Sequence, residues 1–282
     1  MKKILGLALT TSLGLGLGFS NPTLAQVNQD SIHPNLEVKE MQDRRIQGIN
    51  AADNLTPEQV NRLLEKMGFS ITEISNMQDS LKKDIVKEGG KKAILTPLKN
   101  ENTSHKPSVQ YAYTEPEVVI ENGLNFNLFA LYEGTQGSNH IYKIYTNGIW
   151  TNIPYLKTND TIGIFWGDNI TAVNNSDSAR QSWFTQKDEL EANLKGDRSS
   201  IYGTQWKIPF KVGATLNGAY TSQKVSIPIQ FTGQKFQVGS AFSHPWLTTQ
   251  QDIPFKFGPG TVDFNNVKGN QYSLKYSITV GS

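Results

Sequence analysis

The chain has 282 residues, with 27 Lys and Arg against 25 Asp and Glu, four His and no Cys. Disulfides, zinc–thiolate and iron–sulfur sites and thiol nucleophiles are therefore excluded. Residues 1–25 contain two lysines and no acid, so the remainder balances 25 positive charges against 25 negative ones. That balance argues against a partner held by bulk charge, nucleic acid above all.

Lys2-Lys3 precedes an uncharged, mostly apolar run from Ile4 to Phe19. Asn21-Pro22 interrupts it, and Thr23 and Ala25 put small residues where a signal peptidase cuts. The run is short for a bilayer span of about 20 residues and rich in Gly. The expectation is a signal peptide over 1–25, cleaved after Ala25. No later segment reads as transmembrane, so the exported protein is secreted.

The rest divides near residue 107. Residues 26–106 carry 12 acids, 12 bases and one aromatic residue, Phe69, whereas 107–282 hold all five Trp and all ten Tyr. Within the first part, 26–54 reads as a flexible arm and 55–98 as a short helical region. Thr56 caps a helix starting at Pro57, with Gln59 completing a capping box. Val60, Leu63, Leu64 and Met67 form its apolar stripe, and Gly68 ends it. Ser70 with Glu73 repeats the device before Ile71, Ile74 and Met77. Leu81 and Ile85 or Val86 mark a third helix stopping at Gly89-Gly90. Residues 99–108, with Asn, Ser, Thr and Pro, read as a linker. The segment from 107 is expected to fold without the helices, because nearly all the aromatic residues lie in it.

Residues 109–282 read as strands. Tyr272, Leu274, Tyr276, Ile278 and Val280 alternate with polar residues, as do Trp206 to Val212 and Val225 to Phe231. Such period-2 runs have one dry and one wet face, as in antiparallel sheets. Pro209 and Pro228 predict edge strands. Asn147-Gly148 predicts a hairpin between 141–145 and 149–153. Trp183–Lys195, with Phe184, Leu190 and Leu194, is the one segment read as a helix. The fold class expected is mainly β: an antiparallel β-sandwich preceded by a short helical N-terminal region.

Chemistry-bearing motifs are scarce. There is no G-x-S-x-G, H-E-x-x-H, Walker or EF-hand pattern. His33, His105, His140 and His244 are far apart, so no metal site and no cofactor is expected. Asp160 and Asp168 flank a strand, where acids serve as turn formers as well as glycosidase carboxylates. The residues best suited to ligand contact are Trp150, Tyr155, Trp166, Asp168, Asn169 and Trp246. Aromatic rings beside Asn and Asp stack on a sugar face while the polar groups bond hydroxyls. His244-Pro245-Trp246 reads as a turn with a buried, hydrogen-bonded His. The Ser/Thr/Asn/Gln-rich stretch 174–232 also resembles the insertion hairpins of secreted β-pore-forming toxins.

Leu55–Lys92 contains Met67-Gly68-Phe69-Ser70, Glu73-Ile74, Met77, Lys82-Lys83 and Glu88-Gly89-Gly90-Lys91. It resembles a short pre-domain in uncharacterised secreted proteins of Bacillus-type Gram-positive bacteria. Tyr142 to Tyr145, Trp150, Pro154, Thr158–Asp160, Trp166 and His244 are similar to the pattern that follows it there. The resemblance implies export and a helical segment before a β domain, and no activity or catalytic residue. The function expected is non-enzymatic binding of a cell-surface or extracellular ligand, a cell-wall glycan or a surface protein. The alternatives are a membrane-active toxin or antimicrobial factor, then a glycan-active hydrolase.

Overall fold

The computed structural model describes residues 39–41, 43–98, 119–121, 123–152, 154–185, 189–247 and 254–281. The signal peptide expected at 1–25 and the linker expected at 99–108 lie outside the described residues. In chain order, β1 (Ile46–Gln47) precedes helices α1 (Pro57–Lys66), α2 (Ile71–Ser75) and α3 (Asp79–Glu88). Strands β2 (Gly89–Lys92), β3 (Leu95–Pro97), β4 (Val119–Glu121), β5 (Leu124–Gln136), β6 (Asn139–Trp150) and β7 (Asp160–Trp166) follow. Next come β8 (Thr171–Ala172), β9 (Ser178–Phe184), β10 (Glu189–Asn193), β11 (Gly196–Ser200) and β12 (Gly203–Ile208). The last are β13 (Leu216–Pro228), β14 (Lys235–Pro245), β15 (Lys256–Gly258), β16 (Thr261–Asp263) and β17 (Gly269–Thr279).

The strands form an antiparallel β-sandwich. One sheet runs β1-β2-β5-β6-β13-β9-β10, with β4 also on β5 and β8 also on β13; the other runs β11-β12-β7-β14-β17-β3. Alternation decides which side chains face inward. Leu128, Ile144, Trp150 and Val225 from the first sheet meet Ile162, Ile164, Trp166, Trp206, Phe242 and Tyr276 from the second. The outer faces are covered too. The segment carrying β15 and β16 lays Phe255, Phe257 and Phe264 over Phe165 and Ala241.

The helices cover the outer face of the first sheet. Both capping boxes are formed, Thr56 with Gln59 and Ser70 with Glu73. Val60, Leu63, Leu64 and Met67 are buried as the stripe requires, whereas Ile71, at the start of the short α2, is exposed. Phe69 meets Phe129 edge-on at 5.2 Å, and Phe129 stacks on Tyr145 at 5.0 Å. Tyr220 Oη–H donates to Asp84 at 2.7 Å, and Lys143 Nζ–H donates to Glu88 at 2.8 Å. Residues 89–97 then cross between the sheets, since β2 pairs with β5 and β3 pairs with β17. Part of the arm is anchored as well: Ile46 is buried and pairs with Gly90. The segment before residue 107 thus contributes strands to both sheets.

Several local expectations are corrected. Asn147-Gly148 is not a hairpin but lies mid-strand in β6, paired with β5 and β13 on its two sides. A Cβ at Gly148 would stand 3.0 Å from the Phe242 ring of the facing sheet, tighter than ordinary contact, so the position favours glycine. The actual turn is Gly137-Ser138. Trp183–Lys195 is not a helix: β9 and β10 pair with each other, and β9 completes the ladder of β13. That pairing overrides the weak helical spacing of the three apolar residues. Pro209 and Pro228 end strands rather than mark edges, since β12 stops at Ile208 and β13 at Pro228. Ile229–Phe231 forms a 3-10 turn.

Candidate functional site: the loop end of the sandwich

Two crossings and one strand exit meet at one end of the sandwich. The loop 151–159 leads from β6 to β7, 209–215 from β12 to β13, and the chain leaves β14 at Trp246. Side-chain hydrogen bonds tie them together. Thr158 Oγ1–H donates to the Pro245 carbonyl at 2.6 Å, and the Phe210 N–H donates to Asn159 Oδ1 at 3.0 Å. Gln181 Nε2–H donates to the Pro209 carbonyl at 2.6 Å and to Asn217 Oδ1 at 2.8 Å.

Beneath these loops sits a buried polar node. Trp150 Nε1–H donates to Asp160 Oδ2 at 2.7 Å, and Asp160 Oδ1 is hydrogen-bonded to His244 Nδ1 at 2.7 Å. The Trp150 and His244 rings meet edge-on at 5.2 Å. Burial pushes the Asp160 carboxyl above its ordinary value; the hydrogen bonds from His244 and Trp150 act the other way without reversing the shift. The expectation of a buried, hydrogen-bonded His244 therefore holds. This node is not a nucleophile–base–acid relay. Thr158 and Asp160 approach the same ring nitrogen, and the Thr158 proton is already given to Pro245. Asp160 and Asp168 do not pair either. They lie at and beyond opposite ends of β7, a strand of seven residues rising about 3.3 Å each. A glycosidase pair stands about 5–9.5 Å apart.

The six expected contact residues do not assemble. Trp150 is 2% exposed and Trp166 0%, so these two are corrected: they are core side chains with no free ring face. Both end strands with inward parity, and Trp166 gives its Nε1–H to the Ile201 carbonyl at 3.0 Å. Asp168 and Asn169 are exposed, but at the opposite end, where Asp168 accepts from Tyr202 Oη–H at 3.2 Å. Tyr155 and Trp246 remain, 96% and 53% exposed, at the loop end. They have company that alternation concealed. Val212 is 88% exposed and Leu247 45%, with Leu156 beside Tyr155 also exposed. Lys157 Nζ lies over the Phe210 ring at 5.8 Å, and Lys211 Nζ over Trp183 at 4.4 Å. Only Pro209 and Gly213 hint that the chain turns around Val212 instead of continuing a strand. Among the described residues, no group of three or more His, Asp or Glu is placed to hold a metal ion.

No family model matches the chain, and no curated protein sequence matches it. Solved structures give distant likenesses. The collagen-binding subdomain of the Enterococcus faecalis surface protein ACE is 8% identical, with 51% of this chain and 88% of that one covered and a TM-score of 0.30. The collagen-binding domain of the Erysipelothrix rhusiopathiae surface protein RspB is 8% identical over 53% of this chain and 48% of that one, TM-score 0.30. The Clostridium perfringens NetB toxin in its membrane-inserted form is 8% identical over 58% and 94%, TM-score 0.30. At such scores the likenesses carry no functional argument, which rests on the surface of this chain.

Proposed function

We propose that the protein is secreted and non-enzymatic, and that it binds a cell-surface or extracellular ligand through the loop end of the sandwich. The observation that supports this reading is the exposure of Tyr155, Val212, Trp246 and Leu247 at one end of the sandwich, on segments braced from below by the Trp150–Asp160–His244 node. Single exposed apolar residues are ordinary on a soluble surface, whereas several on adjoining loops mark an interaction site. Rigid bases favour binding, because less order is created on contact. Among the described residues, no helix is long and apolar enough to cross a membrane.

The test separates contact from stability. Tyr155→Ala and Trp246→Ala should each weaken binding to whole cells or isolated cell walls about tenfold, as loss of one exposed ring does. Melting temperature should stay within a degree or two. Trp150→Ala is the contrasting variant and should lose about 3–5 kcal/mol of stability. Full binding by the Tyr155/Trp246 double variant would remove this site. A membrane-active role is the second reading, favoured by the mixture of apolar side chains and lysines at the same end.

A further inference from the structure

We propose that the loop end docks peripherally on phospholipid bilayers bearing anionic headgroups, with Tyr155, Val212, Trp246 and Leu247 entering the interfacial layer. The inference rests on the loop end being the contact surface and names its partner. Two features point to a bilayer. The first is the kind of side chain exposed. Trp and Tyr are the residues that settle at membrane–water interfaces, and Leu and Val add apolar reach. They project from separate segments at one end of the sandwich, so a soft planar partner meets them together without needing matched shape. Gly213 takes φ +80° beside Val212, which turns the chain at the loop apex. The second feature is charge. Residues 151–159 and 209–215 contain Lys157 and Lys211 and no acid. Both ammonium groups are held at this end over the rings of Phe210 and Trp183. Glu121 ends β4 and Glu189 opens β10 at the same end of the first sheet, so attraction to anionic headgroups is confined to these two loops and short-ranged. The sugar-binding alternative lacks its parts, since Asp168 and Asn169 lie at the other end and Trp150 and Trp166 are buried.

The experiment is flotation of the full chain with vesicles of phosphatidylcholine containing 30 mole per cent phosphatidylglycerol, and with pure phosphatidylcholine vesicles. Stronger binding to the anionic vesicles, weakened by salt, is expected. Tyr155→Ser/Val212→Ser/Trp246→Ser should lower vesicle affinity at least tenfold with an unchanged melting temperature. Lys157→Gln and Lys211→Gln should each lower it about fivefold, the equivalent of about 1 kcal/mol per surface lysine, and flatten the salt dependence. Vesicle binding that survives the triple substitution would overturn the proposal. So would absent vesicle binding alongside cell-wall binding that the triple variant loses; that outcome would leave the loop end as the contact surface for another ligand. If the triple variant keeps full binding to cells and to vesicles, the contact surface and its partner both fall.

Discussion

Burial and hydrogen bonding act in opposite directions on Asp160. The carboxyl is desolvated, which raises its pKa, yet it accepts from Trp150 and is bonded to His244. A raised folded pKa means that the folded chain holds this proton more tightly than the unfolded one. The stability that follows is fully present below the ordinary carboxylate value and is lost as pH rises through the folded value. Asp160→Asn should therefore remove this falling component from the stability–pH curve, which chemical denaturation across that window reads directly. Asp160→Ala strands the buried Trp150 N–H and leaves the His244 ring nitrogen without this partner, at about 1–3 kcal/mol each. It should also loosen the loops above, because Pro245 and Asn159 flank the node. A variant as stable as the natural chain, with an unchanged pH profile, would show that the node does not brace the loop end.

At the scale of elements, Glu88 closes α3 onto the first sheet by bonding Lys143 at 2.8 Å and Lys224 at 3.0 Å. Burial would raise its pKa, but the two lysines outweigh that and the net shift is downward. Its stabilisation is thus present above the ordinary Glu value and is lost as pH falls through the lower folded value. Glu88→Gln should cost about 0.5–1 kcal/mol at neutral pH, since the carboxylate is partly exposed and Lys224 keeps Glu133, and flatten the acid limb, both visible in thermal melts. An acid limb unchanged by Glu88→Gln would mean that other carboxylates govern it. The helices themselves were legible in the sequence because capping is local chemistry: Thr56 with Gln59 and Ser70 with Glu73 are three residues apart. The alternation of β17 was equally legible. Asn147-Gly148 was not, because the glycine answers to Phe242, far along the chain and in the other sheet. The site was half legible. The loop aromatic residues Tyr155 and Trp246 stood out by type and turn context, but nothing local marked Trp150 and Trp166 as core. Val212 was hidden by an alternation that outran the end of β12.

At the scale of the whole molecule, the change in composition near residue 107 suggests a free-standing β domain, and the strand pairing makes a different prediction. Removing everything before residue 107 deletes β2 from β5 and β3 from β17. It also uncovers Phe129, Tyr145 and Tyr220 on the outer face of the first sheet, where Tyr220 loses Asp84 as its acceptor. Burying one large apolar side chain contributes about 1.5–3 kcal/mol. Uncovering several approaches the whole of a domain's stability, about 5–15 kcal/mol. A chain of residues 107–282 should therefore lack a cooperative thermal transition and bind a hydrophobic dye. A chain starting at residue 39 should melt in one step seen alike by far-ultraviolet and near-ultraviolet circular dichroism. Restoring cooperativity to the shorter chain by adding residues 39–98 as a separate peptide would identify docking of the helical segment as the missing contribution. A sharp β-type melt of residues 107–282 alone, within a few degrees of the longer chain, would show that the sandwich closes without the helices and the two strands they deliver.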